Sequence, residues 1–221
     1  MKILIADDHA VLRGGLRQIL ALEFPGAIFG EAGAFEDTLA QINKEPWDVL
    51  VLDIFMPGRS GLDVLREIEV IQPELPVLVL SSAPEEQMAA RVLRAGAAGY
   101  LNKRVAPEEL ARAVKKVAAG GTYASVKLGE MLAAGLAHPF HAPHEQLSDR
   151  EFQVMQMLVV GKNVKEIAAE LALSPKTVST FHTRLLGKLR VQSDVELLRY
   201  ALEHNLVESP ALPPPAPPEL Q

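Results

Sequence analysis

The chain predicts an α/β domain followed by an all-α domain, and three observations carry that expectation. Over the first 120 residues, short apolar runs alternate with segments of helical periodicity. From Leu147 onward the pattern is helical only. Several apolar runs also end in acids or hydroxyls, where a parallel sheet gathers its ligand-facing groups.

The strand candidates are Lys2–Ala6, Ala27–Ala32, Val49–Leu52, Val77–Leu80 and Gly99–Leu101. Uninterrupted runs such as Val77-Leu78-Val79-Leu80 suit a sheet covered on both faces. Between the strands, Leu12, Leu16, Ile19 and Leu20 repeat with helical spacing, as do Leu110, Val114 and Val117. Together these imply a doubly wound, five-stranded parallel sheet over residues 1–120.

Residues 121–145 read as a connecting helix (Ala124–Ala137) and a linker, His138 to His144. Residues 146–208 read as a four-helix domain. Residues 209–221, with six prolines, read as an extended or disordered tail.

Composition narrows the function classes. At 48% hydrophobic and 23% charged, the chain supports ordinary globular cores. Without cysteine it has no disulfide and no thiolate metal site. Met1-Lys2-Ile3 runs straight into a strand, so no signal peptide is expected, and no apolar run nears the ~18 residues of a membrane span. A soluble, cytoplasmic protein is expected. The net charge of −6 argues against a generally basic coat, yet Lys162, Lys165, Lys176, Arg184, Lys188 and Arg190 face only Glu166 and Glu170 between Gly161 and Arg190. A phosphate backbone feels that local excess rather than the whole-chain charge.

Asp7 and Asp8 end one apolar run and Asp53 ends another. Side by side in a parallel sheet, they would share one crevice. Carboxylates that close repel one another unless a cation compensates, and Mg²⁺ suits a set of hard oxygen ligands. Asp53 could then attack a phosphoryl donor and carry an acyl phosphate. Ser81 and Lys103, after the fourth and fifth strands, could donate to its oxygens. Plainer readings stand beside these. Asp7-Asp8 could cap a helix from Ala10, Ser81 could be a turn residue, Lys103 a solvated charge and Tyr100 a half-buried aromatic.

In the helical region, Val164, Ile167, Ala168 and Leu171 form one short stripe. Ser174-Pro175 is an N-cap followed by a first-turn proline, opening a helix to Leu189. Val178, Phe181, Leu185 and Leu189 make its apolar stripe, and hydroxyls and cations cover the remainder. A short helix, a turn and a polar second helix suit a helix-turn-helix reader, although a solvated amphipathic helix would look alike. The last helix, Asp194 to about His204, carries Val195, Leu198, Ala201 and Leu202, which could pack on the core or stay exposed.

On the motifs Asp7-Asp8, Asp53 with Met56-Pro57-Gly58 and Gly61, Ser81, and Tyr100 with Lys103, residues 1–120 resemble a two-component receiver domain. On Leu147-Ser148-Asp149-Arg150-Glu151, Gly161, Lys165-Glu166-Ile167-Ala168, Leu171, Ser174, Thr177-Val178 and Lys188-Leu189, the remainder resembles a LuxR-type DNA-binding domain. The combination is similar to NarL/FixJ-class response regulators.

The resemblance implies a transcription regulator, not an enzyme, whose Asp53 accepts phosphate from a sensor histidine kinase. Asp7, Asp8, Asp53 and the Phe55 backbone carbonyl would hold Mg²⁺. Ser81 and Lys103 would hold the phosphoryl group, with Tyr100 turning inward as the switch. Ser179, Thr180 and Thr183 would face bases of double-stranded DNA, and Lys165, Lys176, Thr177, Arg184 and Lys188 its phosphates. The phosphorylated protein would be a homodimer joined at the last helix. Arg104 follows Lys103 where many receivers have proline, Val164 replaces a common polar residue, and Phe181 a common histidine. One rival is an aspartyl phosphatase, but the position two after Asp53, where such an enzyme needs an acid, holds Phe55. Another is a protein-binding module whose helical domain docks onto a partner without DNA contact.

Overall fold

The computed structural model describes residues 1–56, 59, 61–83, 85–125, 129, 142–204 and 206. Most of the expected connecting helix Ala124–Ala137, all of the tail Ser209–Gln221, and Pro57 and Gly58 lie outside these residues.

Five strands, β1 (Lys2–Ala6), β2 (Ile28–Ala32), β3 (Val49–Asp53), β4 (Val77–Ser81) and β5 (Gly99–Asn102), alternate with five helices. The helices are α1 (Ala10–Glu23), α2 (Phe35–Lys44), α3 (Gly61–Ile71), α4 (Glu85–Arg94) and α5 (Pro107–Ala118). All strand pairs are parallel, in the order β2-β1-β3-β4-β5. The chain leaves β1 toward β2 on one side and returns to β3 on the other. That reversal opens a crevice at the carboxyl ends of β1 and β3, where Asp7, Asp8 and Asp53 stand.

The period-2 alternation of each strand sorts its side chains onto two cores. Leu4, Leu50, Leu52, Val77 and Val79 pack with α2, α3 and α4. Ile3, Ile5, Val49, Val51, Leu78 and Leu80 pack with α1 and α5. Several strands run further than apolarity alone suggests. Asp53, Ser81 and Asn102 are each the last residue of their strand, in register with Leu80, Asn102 and Ser81 respectively. The hydrogen-bond ladder therefore holds the backbones of these site residues.

Gly61 opens α3 against the β3 end. A Cβ there would lie 2.4 Å from the Ile54 carbonyl oxygen, so only glycine lets α3 begin this close.

A short 3-10 turn (Pro143–Gln146) leads to α6 (Asp149–Val159), α7 (Val164–Glu170), α8 (Pro175–Leu189) and α9 (Asp194–Glu203). Two helices start with reciprocal capping boxes, Ser148 with Glu151 on α6 and Asn163 with Glu166 on α7. Ser174 caps α8 by accepting from the Thr177 amide, with Pro175 in the first turn. Among the described residues, no helix is long and apolar enough to cross a membrane.

The apolar core on the α3–α4 side continues into Leu147, Phe152 and Met155 of the helical domain. Arg91 of α4 anchors that junction, donating to the carbonyls of Leu147 and His144, each at 2.7 Å. Its guanidinium also lies over the Phe152 ring, 4.9 Å from the centroid. Arg66 of α3 pairs with Asp149 at 3.4 Å.

Candidate functional site: an acidic crevice and an exposed recognition helix

The three carboxylates meet as the strand pattern predicts. With His9, each of Asp7, Asp8 and Asp53 offers one ligand atom, all within 4.8 Å of one another. Lys103, carried over from β5, donates to Asp7 Oδ2 at 2.5 Å and to Asp53 Oδ2 at 2.7 Å. It is therefore part of the acid cluster and not a solvated charge. Burial lowers the Lys103 pKa, but Asp53 and Asp7 outweigh burial and hold the ammonium above its ordinary value.

Asp7 does not cap α1. His9 is the residue before that helix and makes no side-chain cap, while Asp7 Oδ1 accepts from the His9 amide at 2.8 Å. Asp53 Oδ1 accepts from the Phe55 amide at 3.0 Å, which fixes the loop that carries the expected carbonyl ligand.

Asp8 Oδ1 is buried without a hydrogen-bond partner. Such an orphan among carboxylates is expensive unless a cation completes it. An all-oxygen set of this charge fits a hard divalent ion such as Mg²⁺.

Around the crevice the structure upholds one plain reading, Ser81 in a serine turn, and corrects another, Tyr100. Ser81 is fully buried, its Oγ accepting from the Ala83 amide at 3.1 Å. Tyr100 is fully buried rather than half-buried, and its hydroxyl donates to the Ala83 carbonyl at 2.5 Å. Asn102 Nδ2 donates to the same carbonyl at 3.0 Å. Arg104, standing where proline is common, donates its amide to Asn102 Oδ1 at 2.9 Å. Proline lacks that hydrogen, so this loop has its own tie.

On α8 the apolar stripe behaves as expected: Val178, Leu185 and Leu189 are buried and Phe181 is partly buried against the core. Lys176, Ser179, Thr180, Thr183 and Arg184 are exposed together, and Lys165 is exposed on α7. Ser179, Thr180 and Thr183 each donate to the carbonyl four residues earlier, at 2.9–3.0 Å. Their oxygens keep acceptor capacity.

Two other expected contacts are engaged within the domain. Thr177 Oγ1 lies 2.8 Å from the capping hydroxyl of Ser174. Lys188 Nζ pairs with buried Glu151 at 2.5 Å and donates to the Gln146 carbonyl at 3.2 Å. His182 pairs with Asp194 at 2.6 Å.

On α9, Leu197 and Ala201 are the buried residues, and Val195, Leu198 and Leu202 are exposed by 78%, 38% and 36%. Most of the stripe read from sequence therefore faces outward. Leu197, His9 and Arg91 were not singled out from sequence. Glu151 was read only as part of the Leu147–Glu151 motif, although the Ser-x-x-Glu spacing also signals its capping box.

Comparison with known proteins agrees with both halves. Residues 3–115 match the response regulator receiver domain, and residues 145–201 match the bacterial regulatory proteins of the luxR family. The chain is 35% identical to the response regulator UvrY of Escherichia coli K12, covering 96% of this chain and 98% of UvrY. It is 36% identical to the response regulator GacA of Pseudomonas aeruginosa, covering 95% and 99%. Among solved structures, RcsB of Salmonella enterica serovar Typhimurium, bound to promoter rprA with phosphomimetic BeF3⁻, aligns with a TM-score of 0.64 at 28% identity. That alignment covers 90% of this chain and 98% of RcsB. The chain belongs to the NarL/FixJ-class response regulators, DNA-binding transcription regulators of two-component systems that join a receiver to a LuxR-type domain.

Proposed function

We propose that residues 1–120 form a receiver phosphorylated on Asp53 by a sensor histidine kinase, and that residues 146–208 bind double-stranded DNA in response. The observation that supports it most is the Asp53 carboxylate, 4% exposed, bonded to Lys103 and flanked by Asp7 and Asp8.

In this reading an Asp53 oxygen attacks the kinase's phosphohistidine. The P–O bond forms as the P–N bond breaks, and the imidazole leaves. Asp7, Asp8, Asp53 and the Phe55 carbonyl would hold Mg²⁺, which supplies positive charge to offset the crowded oxygens. Lys103 passes from Asp53 to a phosphoryl oxygen, and the Ser81 hydroxyl turns from Ala83 to another. The chain acts as a switch and not as a turnover enzyme, and it works in the cytoplasm.

The added charge of about −1.5 to −2 has a route outward. Ser81, Tyr100 and Asn102 all bond to Ala83, two residues before α4 begins. Helix α4 carries Arg91, which grips the 3-10 turn and the start of the helical domain. On DNA, Ser179, Thr180 and Thr183 would meet base edges, and Lys165, Lys176 and Arg184 phosphates. Thr177 and Lys188 would reach phosphates only by loosening their present bonds. The exposed stripe of α9 suits a two-fold dimer, and the related RcsB has been solved as two dimers bound to two parallel DNAs.

The test is acyl-phosphate formation from acetyl phosphate with Mg²⁺, followed by gel shift on genomic fragments. Wild type should be labelled and should bind DNA more tightly, whereas Asp53→Asn should do neither. Labelling of the variant at the same site would overturn the assignment.

A further inference from the structure

His9 has no role in the phosphoryl chemistry proposed above, yet its ring stands in the acid crevice. Its Nδ1 lies 2.8 Å from Asp8 Oδ1 and 3.3 Å from Asp7 Oδ1. Asp8 Oδ1 nevertheless has no hydrogen-bond partner. This nitrogen and this carboxylate oxygen, within ion-pair distance of each other, are two potential donors to a cation side by side. Two neighbouring ligands at right angles on an ion with bonds of ~2.1 Å are themselves ~3 Å apart, so the observed spacing is that of a chelate.

The crevice is divided in a way that favours this. Lys103 takes the Oδ2 atoms of Asp7 and Asp53, on one side. The Oδ1 atoms of Asp7 and Asp8 turn toward His9, whose side chain is 70% exposed and can adjust at little cost.

We infer that His9 Nδ1 is an ion-selecting ligand, which makes this crevice take a first-row transition dication in preference to Mg²⁺. This rests on the acid crevice being the divalent-cation site proposed above. A nitrogen donor gives Mg²⁺ little, because that ion strongly prefers oxygen and keeps its waters. The same nitrogen strengthens binding of transition dications, for which imidazole is a good ligand. With three carboxylates retained, the site stays hard enough for an ion that must also meet a phosphoryl oxygen. Mn²⁺ is a suitable probe.

The experiment uses the full chain and measures Mn²⁺ binding by the loss of free-ion paramagnetic signal, with Mg²⁺ as competitor. The Mn²⁺-to-Mg²⁺ affinity ratio should fall about tenfold in His9→Ala and equally in His9→Gln. Bound Mn²⁺ in wild type should show a ¹⁴N coupling by pulsed paramagnetic resonance. That coupling should become ¹⁵N when histidine is labelled, and should vanish in both variants. Circular dichroism establishes that each variant is folded; should one misfold, the ¹⁵N-histidine result in wild type decides alone. An unchanged ratio with no histidine coupling overturns the role of His9 while leaving the carboxylate site intact. Failure of wild type to bind either ion overturns the carboxylate site as well.

Discussion

The Tyr100 hydroxyl and the Ala83 carbonyl are joined at 2.5 Å, between a fully buried ring on β5 and the loop that leads into α4. Asn102 shares that carbonyl, so Tyr100→Phe removes one of two bonds without leaving the oxygen unsatisfied. The expected loss is about 1 kcal/mol in urea unfolding. The more telling readout is DNA binding, where the variant should show a smaller change on acetyl-phosphate treatment than wild type.

Lys103 is the internal counterion of the crevice, 12% exposed and bonded to two acids. Lys103→Met leaves those acids facing each other and should lower unfolding free energy by about 3 kcal/mol. Adding a divalent cation should recover part of it. Equal urea midpoints for variant and wild type, with and without cation, would contradict this account.

Glu151 connects pH to the stability of the helical domain. Burial raises its pKa, but bonds to Lys188 and to Ser148 outweigh burial and leave it below the ordinary 4.5. A depressed carboxyl contributes stability that is present above 4.5 and is lost as pH falls through the folded value. Glu151→Gln should therefore melt lower at neutral pH, by about 2 kcal/mol. The gap between the two melting curves should close progressively in acid below that point.

Arg91→Ala removes both carbonyl bonds and the ring contact at the junction of the two domains. Small-angle scattering should report a larger radius of gyration, while each domain keeps its own melting transition. Phosphorylation should then alter DNA affinity less.

Lys176→Ala should weaken DNA binding on all sequences alike and reduce the salt slope by about one. Lys188→Ala should instead destabilise the helical domain, because its partner Glu151 is 4% exposed. Isothermal binding at several salt concentrations, with thermal melts, separates the two effects.

The sheet, the α8 boundaries and the meeting of Asp7, Asp8 and Asp53 were legible because each follows from a short period. Apolar runs mark covered strands, and strand ends in a parallel sheet converge. Lys103 was legible as a neighbour of the site, but not as the ion already paired with two acids. That pairing depends on distance in space and not in sequence. The outward turn of Val195, Leu198 and Leu202 was ambiguous for a related reason. A short helix with apolar residues on two faces does not say which face is covered, and the core took Leu197 and Ala201. The grip of Arg91 on Leu147 and His144 had no sequence signal, since an arginine near a helix end usually meets water.

While Arg91 holds the two halves of the molecule together, the polar side of α8 remains open to water. A docked molecule that still presents its reading head has nothing to unmask. In the dimeric reading proposed above, a signal reaching the Arg91 clamp would instead act as a ruler, setting how far apart and at what angle two copies place their heads. Duplex half-sites repeat only every ~34 Å, so a small change at the clamp can decide whether both heads land in register or only one does.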